Sequence, residues 1–253
     1  MPNPISPGTS WHDWLIPVGV TLVLALLAIG VAGRPSPWAG WAPATCIPAA
    51  CFCEGIRDQL IRQPANSISS LLFLPPGLVI LRRGWPDRVA ATSYGVALVL
   101  IGLGSAGYHG SLTFPWQIAD VLGMYLLGTF AVLAAARRRF HLTPATVAVA
   151  YLAGNAGLLA LLVERPGFRR YAFAALIAAA LLLEWGMPRP GGRRRLLAAV
   201  GCLSLGATVW ALDLKGIVCA SGSWLQGHAI WHGLTALAAT LFFGYAVEPE
   251  TSR

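Results

Sequence analysis

Eight runs of about 17 to 25 predominantly apolar residues divide this chain almost from end to end, and each is long enough to cross about 30 Å of hydrocarbon as a helix. They fall near Trp14–Val31, Ala65–Leu81, Val89–Tyr108, Pro115–Ala135, Thr143–Val163, Tyr171–Trp185, Leu196–Leu214 and Leu225–Val247. In hydrocarbon every backbone N–H and C=O must be satisfied within the chain, so such runs dictate a bundle of membrane helices. Only 11% of the residues are charged and mean hydropathy is +0.64, which excludes a soluble enzyme, a nucleic-acid-binding module and a disordered chain.

The connections carry helix breakers and arginines, as in 82–88 (RRGWPDR) and 188–195 (PRPGGRRR). The net charge of +8 comes from 18 basic residues, all but one of them arginine. Spread between apolar runs, these cations set topology and meet lipid headgroups. With the N-terminus inside, eleven of the 18 lie on the cytoplasmic side, so both termini are expected inside. The first run lacks a basic leader and is expected to be a retained span. In this topology Cys46, Cys51, Cys53 and Cys219 fall outside. Four outer thiols suit two disulfides in any of three pairings, or a metal site at the close pair Cys51 and Cys53.

A strongly polar side chain inside a span costs at least about 2.5 kcal/mol on insertion scales, so each needs a partner or a purpose. Those present are Asn66, Ser67, Ser69 and Ser70; Ser105 and His109; Gln117 and Asp120; Asp213; and His228 and His232. Under the derived topology all of them lie toward the outer face, although they come from five separate spans. His228 and His232, four residues apart, share one helix face, and His109 offers a third imidazole. Three histidines and a water make the open tetrahedral set of a catalytic zinc. Ala229 follows His228, so the glutamate of an HExxH helix is missing. Asp120 is the nearest acid, serving as base, as a support for a ligand histidine or as a structural cap. Ser105, one turn before His109, either donates to a developing oxyanion or bonds its own backbone.

Together the stretches CEGIRDQLIRQPANSISS, GLGSAGYHGSLTFPWQIAD, WALDLKGIVC and HAIWH resemble the alkaline ceramidase family, within the superfamily that includes the adiponectin and progestin receptors. The resemblance implies an all-α polytopic bundle with a seven-helix core over 65–247. Segment 1–32 would then hold an added N-terminal helix, 33–64 an outer loop and 248–253 a short cytoplasmic tail. It implies that His109, His228 and His232 bind Zn2+, that Asp120 partners the zinc-bound water and that Ser105 supplies an adjacent hydroxyl. It implies a Cys53–Cys219 bridge, which leaves Cys46 and Cys51 as a second pair. Asn66, Ser69 and Asp213 are expected to support the ligands from behind. Relatives bind Ca2+ ahead of the first core helix through acidic and amide groups; here Glu54 stands as a remnant, while Cys51, Ile56 and Gln63 replace other positions. Too few oxygens are left for a calcium site to be expected.

The expected activity is zinc-dependent hydrolysis of the N-acyl bond of a ceramide-like membrane lipid. The alternative is a lipid-binding, receptor-like protein with a structural metal. A transporter is disfavoured, because no paired Gly/Pro-broken helices recur in the two halves. The Ala, Arg and Gly-rich composition suggests a bacterial inner membrane, with the site near the periplasmic face. No nucleic-acid partner is expected.

Overall fold

The computed structural model describes residues 10–47, 51–185, 192–217 and 219–246. The expected 248–253 tail and much of the 188–195 connection lie outside these residues. Among the described residues the regular elements are all helical, without a sheet. Eight helices are long and apolar enough to cross a membrane: His12–Val31, Pro64–Arg82, Arg88–Ser111, Phe114–Phe140, Pro144–Glu164, Pro166–Glu184, Arg193–Leu214 and Gly227–Ala246. The span boundaries read from sequence agree within a few residues.

The second span departs from a continuous helix. It consists of α2 (Pro64–Ser70), a 3-10 turn (Leu71–Phe73) and α3 (Leu74–Arg82). Pro75 and Pro76 have no N–H to return to the carbonyls of Leu71 and Leu72, so the ladder tightens and Leu74 N–H bonds Leu71 O instead. The remaining helices are α1 (His12–Val31), α4 (Arg88–Ser111), α5 (Phe114–Phe140), α6 (Pro144–Glu164), α7 (Arg169–Glu184), α8 (Arg193–Leu214) and α9 (Gly227–Ala246).

At the centre α4 packs on α2, α3 and α5, while α9 packs on α8 and α2. The shared core contains Phe73, Leu98, Tyr94 and Phe243. Small residues bring backbones together without hydrophobic drive from water. A Cβ on Gly104 would lie 2.8 Å from the backbone N of Asp120, so glycine here is what lets α5 set Asp120 beside α4. The α4–α5 turn is only Leu112 and Thr113. Leu112 has a left-handed φ of 51°, unfavourable for a branched side chain. Its side chain is fully buried beside Ala44 and Cys51, and Ala44 N–H bonds its carbonyl at 2.9 Å. The loop between α1 and α2 thereby holds the turn, and with it His109 in the last turn of α4.

Peripheral elements behave differently. α1 packs chiefly on α3, with an Asp13–Arg83 ion pair at 3.9 Å, and exposes Leu15, Leu22 and Leu26 as a lipid-facing surface. α7 packs on α5 and α8 on α9, yet α7 and α8 scarcely touch each other.

Polar groups are not confined to the ends expected to face outward. Asn155 of α6 donates to Thr129 of α5 at 2.8 Å. At the opposite ends of the helices, Glu184 is buried, pairs with Arg138 and accepts from the Tyr245 hydroxyl at 2.6 Å. Neither residue stood out in the sequence, because the partner of each lies on another helix.

Candidate metal centre

Two helices bring three imidazoles to one point. The nitrogens of His109 (α4), His228 and His232 (both α9) lie within 4.8 Å of one another, and all three side chains are buried. His109 Nε2 and His228 Nε2 are 3.1 Å apart.

The surrounding hydrogen bonds decide which ring nitrogens are bare. Gln63 donates its amide N–H to the Glu54 carbonyl at 2.9 Å, which turns its Oε1 toward His109 Nδ1, also at 2.9 Å. An amide oxygen only accepts, so the proton of His109 is on Nδ1 and Nε2 presents a lone pair. Ser69 donates to Asn66 O at 3.0 Å and lies 2.8 Å from His232 Nδ1. With its own proton spent, Ser69 accepts from Nδ1, and His232 Nε2 is likewise bare. Two lone pairs on neutral imidazoles converge beside His228, each ring held from behind by an oxygen, which is the usual support for a metal-binding histidine. The donor set fits zinc, which favours nitrogen ligands and keeps a fourth position open in catalytic sites.

His228 is set by packing. Phe52 stacks on its ring at 3.8 Å between centroids and 17° between planes. Phe52 stands between two half-cystines, because Cys46 is bonded to Cys51 and Cys53 to Cys219, the pairs that the resemblance implies. Asp213 clamps the same corner: it accepts from Cys53 N–H at 3.0 Å and from His228 N–H at 3.1 Å. Its carboxylate thus caps the start of α9 and touches no imidazole nitrogen.

Asn66 is fully buried, but its amide side chain has no partner among the described residues. It serves through its backbone carbonyl, which accepts from Ser69 and Ser70. Glu54 sends its two oxygens to the N–H groups of Ala65 and Asn66, at 2.7 and 2.8 Å. It caps α2 from outside, with Pro64 at the first helical position. Burial pushes its carboxyl above the ordinary range, opposed by those two backbone donors and by Arg57. Gln117 is a structural tie, bonding Thr45 of the α1–α2 loop through both amide atoms.

Ser105 lies 3.4 Å from His232 Nε2 and 3.1 Å from Ser70 Oγ, and its hydroxyl interacts with the Asp120 carboxylate. Ser105, Asp120, His228 and His232 all line a cavity of about 520 Å³. Beyond them the lining is largely apolar, with Met124, Phe173, Ile177, Leu181, Leu203 and Phe242 among it. Both α7 and α8, which scarcely touch each other, contribute to this lining.

Phe52, Arg169 and Arg170 escaped the sequence reading as contributors to the site, and Gln63 entered it only as a departure from the calcium positions. Gln63 and Phe52 sit in an irregular loop whose path is fixed by disulfides and not by periodicity. Arg169 and Arg170 read as topology-setting charges, yet both line the cavity.

A family model described as Ceramidase matches residues 52–247, from Phe52 through α9 and leaving α1 outside the match. No curated protein matches the chain.

Proposed function

Because the chain belongs to the ceramidase family, we propose that it is an intramembrane amidase that binds Zn2+ through His109, His228 and His232 and hydrolyses the N-acyl bond of ceramide or a related lipid amide. The observation that carries this reading is the cluster of three buried imidazoles, two of which, His228 and His232, line a largely apolar cavity. A lipid can place its chains in that cavity, whereas a small polar amide has nothing to fill it.

When bound, zinc supplies a Lewis acid that polarises the amide carbonyl and acidifies water. The residues of the chain do the rest. Asp120 takes the proton of the attacking water and returns it to the leaving amine. Ser105 donates its hydroxyl proton to the amide oxygen as negative charge develops there, and it orients Asp120 between turnovers. Phe52 stacks over His228 and, with Tyr108, closes the cavity toward the outer loop, which limits the water that reaches the site. The acyl chain extends inward between α7 and α8 past Ile177 and Leu181.

The test compares wild type with Asp120→Asn, purified in detergent, measuring bound zinc and fatty acid release from ceramide. Wild type is expected to carry zinc and to cleave, and the variant to keep zinc while turnover falls about 10²- to 10⁴-fold, the usual range for a lost acid–base group. Zinc in both proteins with no cleavage of any acyl amide by wild type would favour a lipid-binding protein with a structural metal.

A further inference from the structure

The cavity holds more positive charge than the amidase reading uses. Among the described residues lining it, Asp120 is the one carboxylate, against the two guanidinium groups of Arg169 and Arg170. Neither arginine forms an ion pair with another described residue. They are the first two residues of α7, where the positive end of the helix dipole disfavours cations and favours anions. Arg169 is half-buried and Arg170 exposed, so two like charges at an unfavourable helix end line a mostly apolar chamber while staying open to an entering anion.

Their donors are also presented for one. Arg169 Nη1 donates to Pro166 O at 2.9 Å, which orients the group, and its charge acts on Asp120. The Arg170 guanidinium lies over the Trp210 ring, 5.3 Å from its centroid. A guanidinium held over a ring by cation–π attraction keeps N–H donors that can bind an oxyanion in a bidentate fork. Trp210 is on α8, so this contact bridges the α7–α8 gap beside the metal centre. A lipid whose acyl chain lies inward and whose amide meets the histidines would bring its headgroup to this pair.

Resting on the amidase reading, we infer that Arg169 and Arg170 form the headgroup subsite, and that the preferred substrate is a lipid amide whose headgroup carries an anion such as a phosphate, sulfonate or carboxylate. A neutral ceramide leaves Asp120 as the one lining carboxylate, among the described residues, to face both charges.

The experiment measures kcat/KM for ceramide and for its phosphate monoester with the same acyl chain, in neutral detergent free of phospholipid. Wild type is expected to favour the phosphate ester at least about tenfold, the anionic-to-neutral ratio to fall about tenfold in Arg170→Gln, and Arg170→Lys to restore part of it. No preference in wild type, or an equal loss on both substrates in Arg170→Gln, overturns the inference while leaving the amidase reading intact. A second arm needs no turnover: thermal stability with an alkyl phosphate, an alkyl alcohol or a fatty acid of equal chain length. If no amide is cleaved, the amidase reading fails and this arm decides alone. An alkyl phosphate that stabilises wild type but not Arg170→Gln supports an anion subsite, and no difference between the proteins overturns it. A fatty acid that stabilises as well as the alkyl phosphate, with no headgroup preference in turnover, assigns the arginines to the released carboxylate and overturns the headgroup assignment.

Discussion

The wedge of α2, α4 and α9 and the pair α7 and α8 border the same cavity but are built in opposite ways. In the wedge, polar groups are buried and bonded: Gln63 to His109, Ser69 to His232, Asp213 to the start of α9, with a disulfide joining Cys53 to Cys219. Facing it, α7 and α8 offer apolar walls that barely touch, and Leu182, Leu197 and Leu205 point outward, exposed. Ligand geometry needs tolerances of tenths of an ångström, which cross-linked, hydrogen-bonded elements provide. Admitting a long acyl chain needs a wall that yields, and helices without mutual packing yield cheaply. Substitutions in the wedge should therefore act on the metal, and those in the α7–α8 wall on the lipid.

The largest effect belongs to the wedge. His109→Ala removes one imidazole of three and leaves an opening where Gln63 has no partner. Zinc content is expected to fall to near zero and amide hydrolysis by more than about 10³-fold. Metal analysis and fatty acid release on the same preparation check both, and a variant that keeps its zinc would break the contrast at its root. One step back, Gln63→Ala leaves all three rings in place but frees the His109 tautomer. Zinc affinity should weaken about 10- to 100-fold, measured by competition with a chelator, and unchanged affinity would mean that packing alone holds the ring.

In the facing wall, Ala178→Phe adds volume inside the cavity without touching a histidine. It is expected to leave zinc content unaltered and to lower kcat/KM about tenfold for long-chain amides, with a smaller loss for short-chain ones. An equal loss across chain lengths would show that the wall also shapes the metal centre.

The same contrast explains what was legible in the sequence. The eight spans could be read because hydrocarbon imposes length and composition on each one separately. His228 and His232 stood out because helical spacing alone puts them on one face. The break at Leu71–Phe73 was available from Pro75 and Pro76 but hidden by the apolar run around them. By contrast, the support of His109 by Gln63 spans 46 residues and passes through an irregular loop, and the Arg138–Glu184–Tyr245 cluster joins three helices. Neither has a local pattern, since both exist only once the helices are packed. Asn66 shows the reverse error: its amide drew attention as a polar group in a span, but its carbonyl does the bonding.

The smallest expected effect tests the anchor of the wedge. Glu54→Gln keeps the shape of the α2 cap but turns an NH₂ toward a backbone N–H, a loss of about 1 kcal/mol. It also removes a charge that burial disfavours, and the two effects separate by pH. Burial raises the Glu54 carboxyl above its ordinary 4.5, so the folded chain holds that proton more tightly than the unfolded one. The resulting stability is complete below pH 4.5 and is lost as pH rises through the folded value. The stability gap between wild type and Glu54→Gln should therefore be small near neutral pH and widen as pH falls toward 4.5, read from melting temperatures in detergent. A gap that widens instead as pH rises would mean that the folded state favours the carboxylate, so that the two backbone donors of α2 and Arg57 outweigh desolvation. A further widening on adding Ca2+ at neutral pH would go beyond those donors and show that Glu54 keeps a cation-binding role. No change with Ca2+ leaves it as the cap that fixes α2 and, through Ser69, His232.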